Sequence, residues 1–227
     1  MIKKIVLILM SLLILIVVLY NVSVSYVDKQ LESASNPVRN KPVYNLCKKV
    51  WSSRGIYQTV AEQNSIQSLQ SAFSSGYMGA EVDLFYDVKT DRFIISHDRP
   101  KKLANGELLY TKKNNEILTL EKLFKQVGKA NYFWLDYKNL GRITEEQTTT
   151  AIERLLTITA FDPALRQRIY IEGSNPLMLS RYTDAGFRTI FGIHPPPDNH
   201  WLASVGVNIF KMAYYFNNIS GYIFYRS

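Results

Sequence analysis

From Ile5 to Val27 the chain carries no charged residue, and a run of about 20 apolar residues is enough to span a bilayer as a helix. That assigns 1–27 to a membrane or export segment and leaves the rest to fold by itself. Lys3 and Lys4 precede the run, which holds the amino terminus in the cytoplasm and sends the rest of the chain across the membrane. The apolar core, Ile5 to Tyr20, exceeds the 7–15 residues typical of a cleaved signal. Ser23-Val24-Ser25 nevertheless offers a small-x-small cleavage pattern. Two readings therefore stand: a single-pass anchor with an extracytoplasmic carboxyl-terminal domain, or a secreted or periplasmic protein after cleavage. Residues 28–45, with Pro37 and Pro42, read as a polar stalk, and 46–227 as the folded domain. Cys47 is the one cysteine, so no intramolecular disulfide is available.

Beyond the stalk, short apolar runs alternate with helical patterns. Strands are expected near 48–53, 80–86, 93–97, 132–137, 169–173, 189–193 and 207–213, and Tyr222-Ile223-Phe224-Tyr225 adds a last candidate. The run 93–97 reads as a hairpin partner of 80–86. Between the runs, Ile143 to Ile158 shows a helical apolar face with Thr144 placed to cap it. Pro176 opens another helix at a position where proline is tolerated. Such β/α alternation favours a parallel sheet covered by helices. The many aromatics, among them Trp134, Phe191, Trp201 and Phe210, read as core packing.

The chemistry concentrates in a few polar residues. Glu81 and Asp83 lie two apart in Ala80-Glu81-Val82-Asp83-Leu84-Phe85-Tyr86, so both carboxylates leave one face of a strand. They are either a solvated face or a pair that raises one pKa or recruits a hard cation. In Tyr132-Phe133-Trp134-Leu135-Asp136-Tyr137-Lys138, alternation puts Asp136 and Lys138 on one face. They form a structural ion pair or a ligand site, since buried charges need partners. His97 ends the 93–97 run, where it can move protons near neutral pH with Asp98 orienting it, or simply close a turn.

In order, these elements resemble the glycerophosphodiester phosphodiesterase family, part of the phosphatidylinositol phospholipase-like TIM-barrel phosphodiesterases. The matching residues are Ser53-Arg54-Gly55 where that family has His-Arg-Gly, then Asn64 ahead of a helix, Gly76 and Gly79, and Glu81-Val82-Asp83. Thr90-Asp91, His97-Asp98, Leu118-Thr119-Leu120-Glu121-Lys122-Leu123, Asp136-Tyr137-Lys138 and a looser Glu172-Gly173-Ser174-Asn175-Pro176 come after them. The resemblance runs from about Val50 to Ile193. It implies a (β/α) barrel in which Glu81, Asp83 and Asp136 hold a divalent cation, magnesium or calcium. It also implies that Arg54 and Lys138 bind the phosphate of a glycerophosphodiester or phospholipid head group, and that two histidines share proton transfer.

One of those histidines is missing, because Ser53 stands in its place. A hydroxyl does not shuttle protons near neutral pH as imidazole does, and loss of one acid/base group costs on the order of 10²–10⁴ in rate. The implied function is therefore a metal-dependent phosphoric diester hydrolase slowed by Ser53, with a membrane-anchored phosphodiester-binding protein as the alternative. His194, after the 189–193 run, is a candidate substitute, although Pro195-Pro196-Pro197 implies a rigid loop there.

Length bears on closure. Barrels of this type typically need about 250 residues and rarely fewer than about 200, and 46–227 falls short of both. Six or seven barrel strands are expected, so the barrel is expected to be incomplete at its carboxyl-terminal end, by natural shortness or by truncation. The net charge of +8 and pI near 9.4 suit anionic head groups, or simply solubility. No basic helix, zinc spacing or aromatic RNA-binding motif points to nucleic acid.

Overall fold

The computed structural model describes residues 2–39, 50–113, 116–194 and 203–224. Helix α1 (Ile2–Arg39) contains the apolar run. Its most apolar 18-residue window has a mean hydropathy of 3.0 and is wholly unburied. The helix continues through the stretch read as a stalk as far as Arg39; residues 40–49, including Cys47, lie outside the described part. Residues 28–39 of that stretch are helical. Val27 is 1% exposed there, because the barrel domain packs against this part of α1.

The domain proper is a curled, mostly parallel sheet. Strands β1 (Trp51–Ser53), β2 (Gly79–Asp87), β6 (Tyr132–Tyr137), β7 (Ile169–Gly173), β8 (Arg188–Ile193) and β9 (Gly221–Phe224) pair in that order, all parallel. β3 (Arg92–Ile95) pairs antiparallel with the far half of β2, Leu84 facing Ile95 and Asp87 facing Arg92. β4 (Lys101–Lys102) and β5 (Leu108–Leu109) form a small separate hairpin. Helices α2 (Ile66–Ser74), α3 (Leu120–Val127), α4 (Glu145–Ile158), α5 (Pro163–Arg166), α6 (Pro176–Asp184) and α7 (Ala203–Phe216) fill the connections.

This is an incomplete TIM-type barrel with six parallel strands among the described residues, preceded by the apolar helix. One expected strand is a helix instead: 207–213 lies within α7. The run Val207-Asn208-Ile209-Phe210 is short and apolar, and periodicity alone does not separate such a run from a helix. Of the 48–53 strand, only Trp51–Ser53 is a described strand, and Tyr225, like the triple proline and Trp201, lies outside the described residues.

Local signals set the helix starts. Ser65 and Ser68 cap α2 reciprocally, as Thr144 and Gln147 cap α4, satisfying amides that the first turn leaves unpaired. Asn175 accepts from the amides of Leu177 and Met178 ahead of α6, with Pro176 in its first turn. Between sheet and helices, Leu69, Val82, Leu84, Leu120, Leu123, Phe133, Leu135 and Ile171 form the core. Each such side chain adds about 1.5–3 kcal/mol on burial.

On the concave face the packing is aromatic. The Trp51 indole sits 6.1 Å from Trp134 and 5.7 Å from Tyr170, both edge-on, so a side chain of β1 reaches over β2 and β6 to β7. Curling of the sheet brings them together, and Gly79 makes room: a Cβ there would lie 2.4 Å from the Trp51 ring. Gly79→Ala is expected to destabilise the fold by about 1–3 kcal/mol through overpacking, measured as a lower thermal midpoint. Trp51→Leu in the same chain should recover part of that loss; additive losses would show that the contact is unimportant.

Candidate active site

Parallel strands deliver their carboxyl ends to one end of the sheet, where barrels of this class place their chemistry. Ser53 and Arg54 leave β1 there, Lys138 leaves β6, and His194 follows β8. The register aligns the acids: Asp83 faces Asp136 across β2 and β6, Asp136 faces Glu172 across β6 and β7, and Glu81 faces Trp134. One ligand oxygen each from Glu81, Asp83 and Asp136 lies within 4.8 Å of the others. Glu81 and Asp136, with Ser53, Arg54, Trp134 and Glu172, gather around a cavity of about 300 Å³ that Ile223 of β9 also borders, while Asp83 is buried out of reach of it.

Asp83 is the centre of the cluster and is fully buried. Its Oδ2 lies 2.8 Å from Arg54 Nε and accepts from Asn64 Nδ2 at 2.7 Å, while Oδ1 lies 2.6 Å from Lys138 Nζ. Lys138 also pairs with Asp136. Arg54 adopts a left-handed backbone, φ 59°, an uncommon state for a residue with a Cβ. Its carbonyl accepts from the Asn64 amide at 3.0 Å and Ser68 Oγ at 3.1 Å, and its own amide donates to the Glu81 carbonyl. Gly55, at φ 87°, lets the chain pass α2: a Cβ would stand 2.5 Å from Ser68.

Ser53 Oγ donates to Glu81 Oε2 at 2.9 Å. At the position where the motif resemblance implies a histidine, a hydroxyl is thus bound to one carboxylate of the cluster. His97 sits at the border of the site: the Ser96 amide donates to the Asp83 carbonyl at 3.1 Å, and His97 Nδ1 lies 3.0 Å from Asp98 Oδ1. The His97 side chain is 47% exposed and Asp98 77%, a pair open to solvent at the rim. His194 is also exposed, at the same end of the sheet.

Two residues of the site carry roles that the sequence does not announce. Asn64 belongs to the motif series, but nothing in the spacing says what it touches. It is buried, left-handed at φ 57°, and its amide group both donates to Asp83 and accepts from the Asp83 backbone amide at 3.2 Å. Glu172, buried beside Asp136, accepts from Trp134 Nε1 at 2.6 Å; its lone charge in an apolar strand is the available signal. Thr90-Asp91, by contrast, is structural. Asp91 turns the β2–β3 hairpin and is held by Tyr86 and Arg154 at 2.6 Å each.

The electrostatics mark a cluster short of positive charge. Four carboxylates, Glu81, Asp83, Asp136 and Glu172, face two cations, Arg54 and Lys138. Burial, then the Asp83 charge, pushes the Glu81 carboxyl up to about 7, against the Ser53 hydrogen bond. Burial also raises Asp136, against Lys138. A hard, all-oxygen donor set that resists ionisation by itself is compatible with a divalent cation.

Solved structures share this fold. A glycerophosphodiester phosphodiesterase from Thermotoga maritima aligns with 79% of this chain and 74% of its own, at TM-score 0.53 and 16% identity. One from Parabacteroides distasonis aligns over 77% and 71%, at 0.52 and 18%. A Galdieria sulphuraria protein given the same assignment aligns over 81% and 76%, at 0.59 and 15%. The fold is that of the glycerophosphodiester phosphodiesterases. The resemblance read from the motifs therefore holds at the level of fold. No protein-family model matches the sequence, and no curated protein matches it either.

The raised Glu81 carboxyl sets a pH dependence of stability. Its folded value, about 7, exceeds the ordinary 4.5, so between those values the folded chain keeps a proton the unfolded chain has lost. The protonated group's contribution is complete below 4.5 and is lost as pH rises through 7, of order 3 kcal/mol in all. In cation-free buffer, Glu81→Gln should melt above wild type at pH 8 and level with it near pH 4.5. Parallel melting curves across that range would refute the assignment.

Proposed function

We propose that this chain is a divalent-cation-dependent phosphoric diester hydrolase acting on glycerophosphodiesters or phospholipid head groups, working with one imidazole instead of two. The reading is carried by the convergence of Glu81, Asp83 and Asp136 with Arg54 and Lys138 in one cleft of the shared fold. Glu81, Asp83 and Asp136 would hold magnesium or calcium, which when bound supplies a Lewis acid for a phosphoryl oxygen.

The chain's own residues do the rest. Arg54, part-exposed above Asp83, offers a planar guanidinium suited to two phosphate oxygens, and Lys138 offers a point charge. Buried Asp83 orients both, and Asp136 with Asp83 holds Lys138 charged against burial. His97, backed by Asp98, is the remaining group able to exchange a proton at a departing or attacking oxygen. Ser53 orients Glu81 and contributes no proton exchange of its own.

The membrane reading belongs to the same proposal. Residues 1–27 anchor the chain, Lys3 and Lys4 stay cytoplasmic, and the barrel of 46–227 stands outside the cytoplasm, where phospholipid head groups are within reach. A second reading, a phosphodiester-binding protein without turnover, is favoured by one observation, the Ser53 hydroxyl engaged with Glu81.

One experiment separates the two. Hydrolysis of glycerophosphocholine is measured with magnesium or calcium on wild type, Ser53→His and Glu81→Ala. The hydrolase reading expects slow turnover that a chelator and Glu81→Ala both abolish, and a gain in Ser53→His of up to about 10²–10⁴. Cation-dependent binding without wild-type turnover supports the second reading, and no cation-dependent binding at all overturns both. His194→Ala should leave the rate unchanged if His97 carries the proton; a fall would hand that role to His194.

A further inference from the structure

We propose that α7 is a second membrane element, a helix that stands beside α1 with its amino-terminal half at the bilayer interface and seats the barrel on the lipid surface. The inference rests on α1 being a bilayer span. α7, Ala203–Phe216, has one charged residue, Lys211, and no fully buried residue. A helix this poor in charge, on the outside of a barrel, needs an apolar neighbour.

Its three faces have separate partners. Asn208, Lys211 and Tyr215 face α1: Asn208 Nδ2 donates to Tyr20 Oη at 3.1 Å, Lys211 lies 2.9 Å from Asp28, and Tyr215 stacks edge-on with Tyr26 at 5.9 Å. Phe210, Ala213 and Tyr214 face the barrel core, with Phe210 6.1 Å from Phe191. The third stripe, Val205, Ile209, Met212 and Phe216, has the 4-3-4 spacing of one helical face. Ile209 is 51% and Phe216 61% exposed.

The position of α1 says what covers that stripe. A hydrocarbon core of about 30 Å takes about 20 helical residues, so a span beginning at Ile5 leaves the bilayer near Val24. Tyr20 is therefore at interface depth, and Asn208 is bonded to it. Tyr20 meets Asn208, whereas Tyr26 and Asp28 meet Tyr215 and Lys211 further along α7, so α7 runs beside α1 in the same direction with its amino-terminal turns at the lipid. Tyr20, Tyr26, Tyr215, Phe216 and the 55% exposed Tyr222 form the aromatic collar that membrane boundaries favour. β9 comes directly after α7, and its Ile223 borders the acidic cavity, so seating α7 sets that cavity at a fixed height over the head groups.

The test uses the full chain in vesicles of phosphatidylcholine and phosphatidylglycerol, in a Cys47→Ser background. A bimane label is placed at Ile209→Cys, Phe216→Cys, Tyr222→Cys, Ile14→Cys and Val60→Cys, and its quenching by brominated lipid is read. Val60, 77% exposed, reports water, and Ile14 reports the span. The proposal expects strong quenching at 14, intermediate quenching at 209, weaker quenching at 216 and none at 60, with 222 closer to 216 than to 60. Quenching at 14 with 209, 216 and 222 all equal to 60 overturns the interfacial helix and leaves the anchor intact. No quenching at 14 overturns the anchor and this inference with it. Energy transfer between labelled copies at 209, without lipid quenching, would replace the bilayer by a second copy of the chain.

Discussion

A single buried carboxylate, Asp83, holds the end of β1, the entry to α2, the middle of β2 and the end of β6 together. Its two oxygens meet Arg54, Asn64 and Lys138. Desolvating an anion costs several kcal/mol, and only close partners return it, so these segments cannot drift apart without stranding the charge. The left-handed backbone of Arg54 and Asn64 is tolerated for the same reason, since backbone strain of this kind persists only where neighbours over-determine it. Fold and site are thus one arrangement, and the polar cleft is as fixed as the apolar core behind it.

Charge counting links cation and ligand. With all four acids ionised, Glu81, Asp83, Asp136 and Glu172 against Arg54 and Lys138 leave a formal excess of two negative charges, unfavourable for an incoming anion. A divalent cation would cancel that excess and with it the repulsion that a diester anion would meet. Glu81, held near 7, is the adjustable member: without a cation it relieves the excess by taking a proton. Cation and diester binding should therefore reinforce one another, each diluting the other's desolvation cost.

How much of this is legible in the sequence depends on range. Period-two alternation puts Glu81 with Asp83, and Asp136 with Lys138, on shared faces, and the structure has them so. Local signals likewise place the cap at Thr144 and the first turn that opens at Pro176. Alternation cannot supply register between strands far apart in sequence, which brings Asp136 opposite Asp83 and adds Glu172 to the row. Nor can it show that Asn64 reaches back to clamp Asp83. The strand expected at 207–213 fails for the same reason, because the stripes that make α7 a helix are distinguished by three different neighbours, α1 among them.

Ser53 takes on a different weight in this setting. A hydroxyl in place of imidazole removes a proton carrier, yet it leaves no hole, because it donates to Glu81 and favours the ionised carboxylate against the burial that opposes it. The loss in proton transfer is thus accompanied by a gain for the anion that a cation needs. An imidazole at 53 would have to share that carboxylate with any cation, whereas a serine defers to it. On the proposed reading the site would hold charge more than it exchanges protons, and His97 stands exposed at the rim, where solvent can reach it.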